Sequence, residues 1–278
     1  MADVVPLVPD VPSAGTYRAD YYFFRQFLMG LAPFNDGRVI RPQAMKLIFG
    51  VNRPFRIRLE QQWYSCRAAL LKGNTPHFLS GQNDWQVVLW IEPGCALQLL
   101  LDVRTLDGRS WILHKAPVTG LRQDVIQTVI DEPDAPGALH LAEALLRVYG
   151  GIQPVPALWD DCIKDALTKI DRNPAAAESA DLAREFGREE ADFLSDFQRV
   201  VGMSPDVYIH RRRLARFFSL RTEGVERNEA LEQAALSGWD GLKDSFWERY
   251  ALNLEVMDTF KPYIRLFSGE DAQAALYL

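Results

Sequence analysis

The chain contains few cysteines and no long hydrophobic run, and each absence excludes a class of protein. Its three cysteines, Cys66, Cys95 and Cys162, are too few and too widely spaced for a disulfide framework or a zinc cluster. No apolar segment approaches the ~20 residues that a membrane-spanning helix requires, so we expect no membrane association. The N-terminal segment has prolines and acidic groups but no basic start, and we therefore expect a cytoplasmic protein without a secretory signal.

Acidic residues outnumber basic ones along the chain. The 278 residues include 37 Asp and Glu against 31 Lys and Arg, which gives a net charge of −6, and 48% of the residues are hydrophobic. This composition is typical of a globular protein and not of a disordered one. The length fits two modest domains. The acidic balance argues against a protein that coats nucleic acid by bulk charge.

The front half of the chain has the pattern of short strands. Turn formers separate brief apolar runs at 45–49, 55–59, 63–65, 68–71, 78–79 and 85–91. Such spacing predicts a small sheet sandwich or barrel. In the second run, Phe55 and Ile57 alternate with Arg56 and Arg58, which predicts one apolar face and one basic face. The aromatic-rich segment 17–31 fits either a short helix or an opening strand.

A helical period replaces this pattern further along the chain. Residues 136–149 are predicted to form a helix, with Leu141, Leu145 and Val148 on one narrow apolar seam. We predict a homodimer in which this seam pairs with its copy, and the alternative is that it packs on the chain's own barrel. The predicted divisions are an extended lead-in at 1–16, a β-rich domain at 17–150, a linker at 151–156, a helical domain at 157–262 and a tail at 263–278.

Two similar helical units lie within the second half, at 179–208 and 230–254. In the first unit, Gly187 suits the sharp corner between two helices, because glycine adopts positive φ easily. Gly202 ends the second helix of this unit, and Ser204 with Pro205 begins the next one as N-cap and first position. In the second unit, Gly238 is the predicted turn glycine. Apolar residues recur at matching positions, with Ala183, Phe193 and Phe197 in the first unit and Ala234, Phe246 and Tyr250 in the second.

On these residues the chain resembles the AraC/XylS family of transcription regulators, as a divergent member. The matching positions also include Leu182, Met203, Tyr208, Arg213, Leu214 and Trp239. The resemblance implies an α+β protein with a small cupin-like β-rich sensing domain followed by an all-α double helix-turn-helix domain. It implies that one helix of each unit lies in successive major-groove segments of double-stranded DNA. The front half matches at the turn formed by residues 72–77.

The same resemblance implies which residues contact DNA. They lie in or near the two reading helices and on the connecting helix: Arg188, Asp192, Ser195, Arg199, Arg211, Arg212, Lys243 and Arg249. Ser195 and Glu248 stand where the family usually has arginine. From residue 157 onward there are sixteen basic and twenty-three acidic residues, a net charge of −7. Because phosphate neutralisation supplies most non-specific affinity, the alternative is an AraC-like regulator that has lost DNA binding and acts on a protein partner.

The strands of the front half predict a pocket for an effector. Its predicted lining is Phe55, Ile57, Trp63, Leu70, His77 and Trp90. Such a lining favours a small apolar or aromatic effector, with Arg56 or Arg58 at the rim for a carboxylate. The alternative is that these side chains fill the interior and no ligand binds.

Enzymatic chemistry has little support in the sequence. No Ser–His–Asp set, phosphate-binding glycine loop or paired-carboxylate motif is present. His77 is a metal ligand only if further ligands lie close by, and His114, His140 and His210 stand in unrelated segments. We therefore expect no metal, no cofactor and no enzyme, and a metal-dependent cupin enzyme is the alternative.

Overall fold

The computed structural model places a β-rich front region before a helical second region, as the predicted fold class requires. The structure describes residues 18–115, 126, 129–152, 154–155, 161–259, 264–268 and 276–277. The predicted lead-in at 1–16 lies outside these residues. None of the described helices is long and apolar enough to cross a membrane.

The strands of the front region form two sheets. Its nine strands are β1 (Ala19–Phe23), β2 (Phe27–Ala32), β3 (Met45–Gly50), β4 (Phe55–Leu59), β5 (Gln62–Cys66), β6 (Ala68–Leu71), β7 (His77–Ser80), β8 (Gln86–Ile91) and β9 (Trp111–His114). The larger sheet has the order β11-β1-β2-β8-β3-β6-β9, in which β11 is Ile264–Ser268 from the end of the chain, and the smaller one has the order β5-β4-β7. Each of the six predicted runs corresponds to one of the strands β3 to β8, and the described part of the segment 17–31 contributes β1 and most of β2.

The helices follow in two groups. Short α1 (Ala96–Leu100) continues into a π-helical turn at Leu101–Leu106, and α2 is Ala135–Gly150. The second region contains α3 (Asp161–Arg172), α4 (Ser179–Glu185), α5 (Glu190–Val201), α6 (Pro205–Thr222), α7 (Arg227–Gln233), α8 (Trp239–Tyr250) and α9 (Leu254–Thr259). The predicted start of α6 is confirmed, because the Ser204 hydroxyl accepts a hydrogen bond from the Val207 amide and Pro205 holds the first position.

The two helix-turn-helix units use the same turn with different residues. Gly187 has a φ of 64°, and its amide donates to the Arg184 carbonyl at 3.1 Å. The equivalent residue in the second unit is Ala235, with a φ of 52° and a 3.0 Å bond from its amide to the Glu232 carbonyl. The prediction that Gly238 is the turn glycine is therefore wrong. Gly238 instead precedes α8 as its N-cap residue.

The end of the described chain returns to the front region. Strand β11 (Ile264–Ser268) pairs in parallel with β1, and Arg265 forms an ion pair of 2.8 Å with Asp20. Strand β10 (Pro154–Val155) pairs with β12 (Leu276–Tyr277). The segments predicted as linker and tail thus contribute strands, and the pairing of β11 joins the second region to the larger sheet.

The predicted dimer seam lies inside the molecule. Leu141 and Leu145 are 0% exposed and belong to the same buried cluster as Leu47 and Leu89 of the larger sheet, whereas Val148 is only partly buried. The seam packs on the chain's own sheet because this contact removes apolar surface from water within one chain. A homodimer through Leu141, Leu145 and Val148 is therefore a wrong prediction, and the packing alternative holds.

Replacing Leu145 with alanine should lower the free energy of unfolding by about 2–5 kcal/mol, because the substitution leaves a cavity in the core. The same change at half-buried Val148 should have a smaller effect. Urea titration measures both values, and light scattering measures the mass. An L145A variant of native stability but smaller mass would show that the seam joins two chains.

Candidate nucleic-acid interface

The first unit presents one exposed face of α5. Gly187, Arg188, Asp192, Ser195 and Asp196 line a shallow concave surface at the beginning of this helix. Buried Phe193 and Phe197 fix the opposite face of α5 in the core. The i, i+4 spacing of these rings thus determines which side chains reach solvent, and the predicted residues Arg188, Asp192, Ser195 and Arg199 lie together on this reading face.

Carboxylates neutralise the cations of this reading face. Asp196 accepts hydrogen bonds from Arg188 at 2.7 Å and from Arg199 at 2.9 Å. These bonds from Arg199 and Arg188 lower the pKa of Asp196 below its usual value. Exposed Glu189, Glu190 and Asp192 add three further negative charges at the start of α5. The face is consequently acidic where a phosphate backbone would approach.

The predicted contacts in and near the second unit are also paired. On α8, Lys243 lies 3.0 Å from Asp240. On the connecting helix α6, Arg212 lies 2.8 Å from Asp171 of α3. Glu248, which stands where the resemblance implies an arginine, is exposed. The structure thus gives each of these two cations a carboxylate partner within the chain.

Arg211 is not a phosphate contact, which corrects the prediction for this residue. Its side chain is 6% exposed, and its guanidinium donates to the carboxylate of Glu92. It also donates to the carbonyl oxygens of Phe24 at 2.6 Å and Phe27 at 3.0 Å, in the turn between β1 and β2. Through these bonds, Arg211 anchors the connecting helix α6 to the front region.

The Glu92 carboxylate also accepts hydrogen bonds from two residues of α8. The Arg249 guanidinium donates to one carboxylate oxygen, and the Tyr250 hydroxyl donates to the other at 2.7 Å. Burial raises the pKa of Glu92, but Arg211 and Arg249 outweigh this effect and hold the pKa below its usual value. Arg249 is therefore turned toward this centre and away from the position predicted for a DNA contact. We call Glu92, Arg211, Arg249 and Tyr250 the Glu92 cluster.

Backbone hydrogen bonds extend this attachment along α8. The amides of Gln43 and Ala44, just before β3, donate to the carbonyls of Glu248 and Arg249 at 2.9 Å each. The Arg38 guanidinium lies over the ring of Trp247, 4.7 Å from its centroid. The end of the second reading helix is thus docked on the loop before β3.

The six predicted pocket residues do not share one pocket. Phe55, Ile57 and Trp90 are buried between the two sheets, but Leu70 faces the α2 side of the larger sheet. Trp63 is 40% exposed on the outer face of the smaller sheet. Side chains alternate across a strand, so neighbouring runs place their apolar residues on different sides. The predicted pocket is therefore wrong for Leu70 and Trp63.

His77 lies between the sheets beside Lys46, a residue that the pocket prediction missed. The Nδ1 of His77 donates to the Thr75 carbonyl at 2.8 Å, and its Nε2 accepts from the Lys46 amine at 3.2 Å. Burial lowers the pKa of Lys46 to about 8, and burial with the nearby Lys46 charge lowers the pKa of His77 to about 3. A lone lysine within the apolar strand 45–50 is the sequence signal that identifies this position.

Two of the three cysteines have buried thiols. Burial raises the pKa of both Cys66 and Cys95 to about 12, so neither thiol ionises near neutral pH. Within the described residues, no group of three or more His, Cys, Asp and Glu side chains is placed to hold a metal ion. His77 is accounted for by its hydrogen bonds to Thr75 and Lys46.

Comparison with known proteins gives structural likeness alone. No protein-family model matches the chain, and no curated protein matches it significantly. A structure of ToxT from Vibrio cholerae is similar, with 12% identity, coverage of 88% of this chain and 98% of that one, and a TM-score of 0.42. An unsaturated fatty acid-bound ToxT has 12% identity, coverages of 86% and 94%, and a TM-score of 0.39. The AraC-like transcriptional activator CuxR has 13% identity, coverages of 77% and 83%, and a TM-score of 0.30.

Replacing Glu92 with glutamine should destabilise the fold by about 3–5 kcal/mol at pH 7, because buried Arg211 would lose its counter-charge. Urea titration measures the change, and exposed Glu248→Gln on the adjoining helix is the matched control, expected within about 0.5 kcal/mol. Since the pKa of Glu92 is lowered in the fold, its stabilising effect is present above about pH 4.5 and is lost as the pH falls below it. Equal effects of E92Q and E248Q at pH 7 would contradict the cluster.

Replacing Lys46 with methionine should stabilise the fold at pH 7 by about 1–3 kcal/mol, because burial of the charged amine is unfavourable. The stability of the unchanged protein should rise between about pH 8 and 10.5, where the unfolded chain still holds the proton and the native chain does not. The advantage of the variant should shrink over this range. Urea titrations at pH 7 and 10 measure it, with half-exposed Lys72→Met as control. A K46M variant that is equally destabilised at both pH values would contradict this account.

Proposed function

We propose that the chain is a transcription regulator of AraC type that binds double-stranded DNA through its helix-turn-helix units. The observation that carries this proposal is the exposed reading face of α5, held by the glycine turn at Gly187 and by the Phe193–Phe197 pair. The two units also repeat one hydrogen-bonded turn, at Gly187 and at Ala235. Helices arranged in this way place side chains near their N-termini in the major groove.

The first unit supplies the more open DNA contact. Ser195 and Asp192 are exposed on α5 and are the candidates for base edges, where hydroxyl and carboxylate groups serve as readers. Arg188 and Arg199 reach phosphate only by leaving Asp196. Non-specific affinity should therefore be modest, because few phosphates are neutralised.

The attachment of α8 to the loop before β3 supports control by the front region. Lys46 lies on β3, two residues after Ala44, whose amide holds the end of α8. The indole Nε1 of Trp90 is buried between the sheets without a hydrogen-bond partner among the described residues. An apolar effector with a hydrogen-bond acceptor, bound beside Lys46 and Trp90, would act on α8 through the start of β3. It would change the DNA affinity by no more than the ratio of its affinities for the docked arrangement of α8 and for one in which α8 is released from the loop before β3.

A regulator that acts through protein contact is the second candidate. The ion pairs of Arg188, Arg199, Arg212 and Lys243 favour it, because each predicted phosphate-binding cation already has a carboxylate partner. A basic protein surface would fit the acidic start of α5 better than a phosphate backbone does.

Replacing Asp196 with asparagine separates these two functions. The change releases Arg188 and Arg199 together, so the affinity for double-stranded DNA should rise several-fold and the salt slope should steepen by about one to two. Fluorescence anisotropy with a labelled duplex at ~50 mM salt and above measures both quantities.

The control is Asp161→Asn, which removes the same charge from exposed α3 outside both units. It should leave the affinity for duplex DNA nearly unchanged. If the D196N variant binds no duplex at ~50 mM salt, DNA binding is excluded as the function of this face and the protein-contact function takes its place.

A further inference from the structure

The outer face of the smaller sheet combines aromatic rings with arginines. In the register of this sheet, Arg58 of β4 lies between Trp63 of β5 and Phe78 of β7. Arg56 lies two residues before Arg58 on the same side of β4, while Phe55 and Ile57 point into the core. The alternation predicted for this strand is thus confirmed, and its basic side is exposed. We call Arg56, Arg58, Trp63 and Phe78 the outer sheet face.

The side chains of the outer sheet face stack on one another. The Arg56 guanidinium lies 4.7 Å from the Trp63 ring centroid, and the Arg58 guanidinium lies 5.8 Å from Trp63 and 5.4 Å from Phe78. The two rings meet edge to face at 5.6 Å. A stacked guanidinium keeps its N–H donors free at its edge, so these contacts fix the arginines and leave them available for an anion.

The cations of the outer sheet face differ from those of the helical units. Neither Arg56 nor Arg58 forms an ion pair with any described residue, whereas Arg188, Arg199 and Lys243 all do. The loop beside this face carries two more arginines without a described carboxylate partner, Arg38 and Arg41. It meets β7 through the bridge between Ile40 and His77. Four arginines without a described carboxylate partner thus lie on or beside the smaller sheet.

We propose that the outer sheet face binds single-stranded nucleic acid. Unpaired bases would stack on the part of the Trp63 ring that the arginines leave exposed and would contact Phe78, and the edges of the Arg56 and Arg58 guanidinium groups would donate to phosphate oxygens. Exposed aromatics on an antiparallel sheet with adjacent arginines provide both contacts that a single strand requires. A duplex keeps its bases stacked internally and would use the arginines alone. This inference is independent of the helix-turn-helix units.

The experiment uses the full chain and fluorescein-labelled oligo-dT and oligo-rU of about 20 nucleotides. Fluorescence anisotropy at ~50 mM salt should show saturable binding of these strands and weaker binding of a duplex of equal length. A preference for oligo-rU over oligo-dT would identify RNA as the ligand, and the reverse would identify DNA. No binding of either strand would overturn the proposal.

Two sets of variants test the residues. Arg56→Gln with Arg58→Gln should weaken binding at least tenfold and reduce the salt slope by about 1.4, since about 0.7 is lost per phosphate contact. Lys164→Gln with Arg172→Gln on α3 is the charge-matched control and should stay within twofold. Equal affinity of the two double variants would overturn the proposal.

The aromatic part of the face needs its own test. Trp63→Leu should weaken binding roughly tenfold, while Trp63→Phe, which keeps an aromatic ring, should retain most of the affinity. Equal losses in both variants would refute the stacking role. Poly-glutamate should compete poorly with oligo-dT, and competition at equal charge would show a surface for acidic protein instead. Asp196→Asn should not alter the affinity for oligo-dT. The oligo-dT test therefore addresses the outer sheet face alone, and the duplex test addresses the helix-turn-helix units alone.

Discussion

The buried carboxylate of Glu92 is the interaction on which the arrangement of the two regions depends. It follows β8, accepts from Arg211 of α6 and from Arg249 and Tyr250 of α8, and is 1% exposed. A buried charge is tolerated only when it is paired and hydrogen-bonded, so loss of any donor would favour separation of the helices from the sheet. The connecting helix and the second reading helix are therefore positioned by one acidic residue of the front region.

Charge is distributed unevenly between the two regions, and this distribution shapes both proposals. In the helical region, carboxylates such as Asp196 and Asp171 hold the arginines that a DNA-binding protein would offer to phosphates. On the smaller sheet, Arg56 and Arg58 stack on aromatic rings and keep their donors free. Because carboxylates compete with phosphates for arginine, the reading face of α5 needs a rearrangement before it binds DNA, whereas the outer sheet face does not.

Patterns among neighbouring residues predicted most of the helices and strands. They did not predict the pairings between residues that are far apart in the sequence. The alternation around Phe55 and Ile57 identified β4, and Ser204 with Pro205 identified the start of α6, because strand period and helix capping depend on neighbouring residues. The sequence predicts Arg211 as a DNA contact, because its actual partner, Glu92, lies 119 residues away and leaves no local signal. The strand at Ile264–Ser268 depends likewise on a parallel partner, β1, at the other end of the chain. Contacts between such distant residues produce no periodic pattern in the sequence from which they could be predicted.

A double-mutant cycle between Glu92 and Arg249 tests the central claim most directly. The free energies of unfolding of the unchanged protein, E92Q, R249Q and the double variant give the coupling energy of the pair. The account predicts a favourable coupling of about 1–3 kcal/mol, because the two side chains meet across the junction of β8 and α8. A coupling energy near zero would contradict it, since the front region would then not hold the second reading helix through this carboxylate.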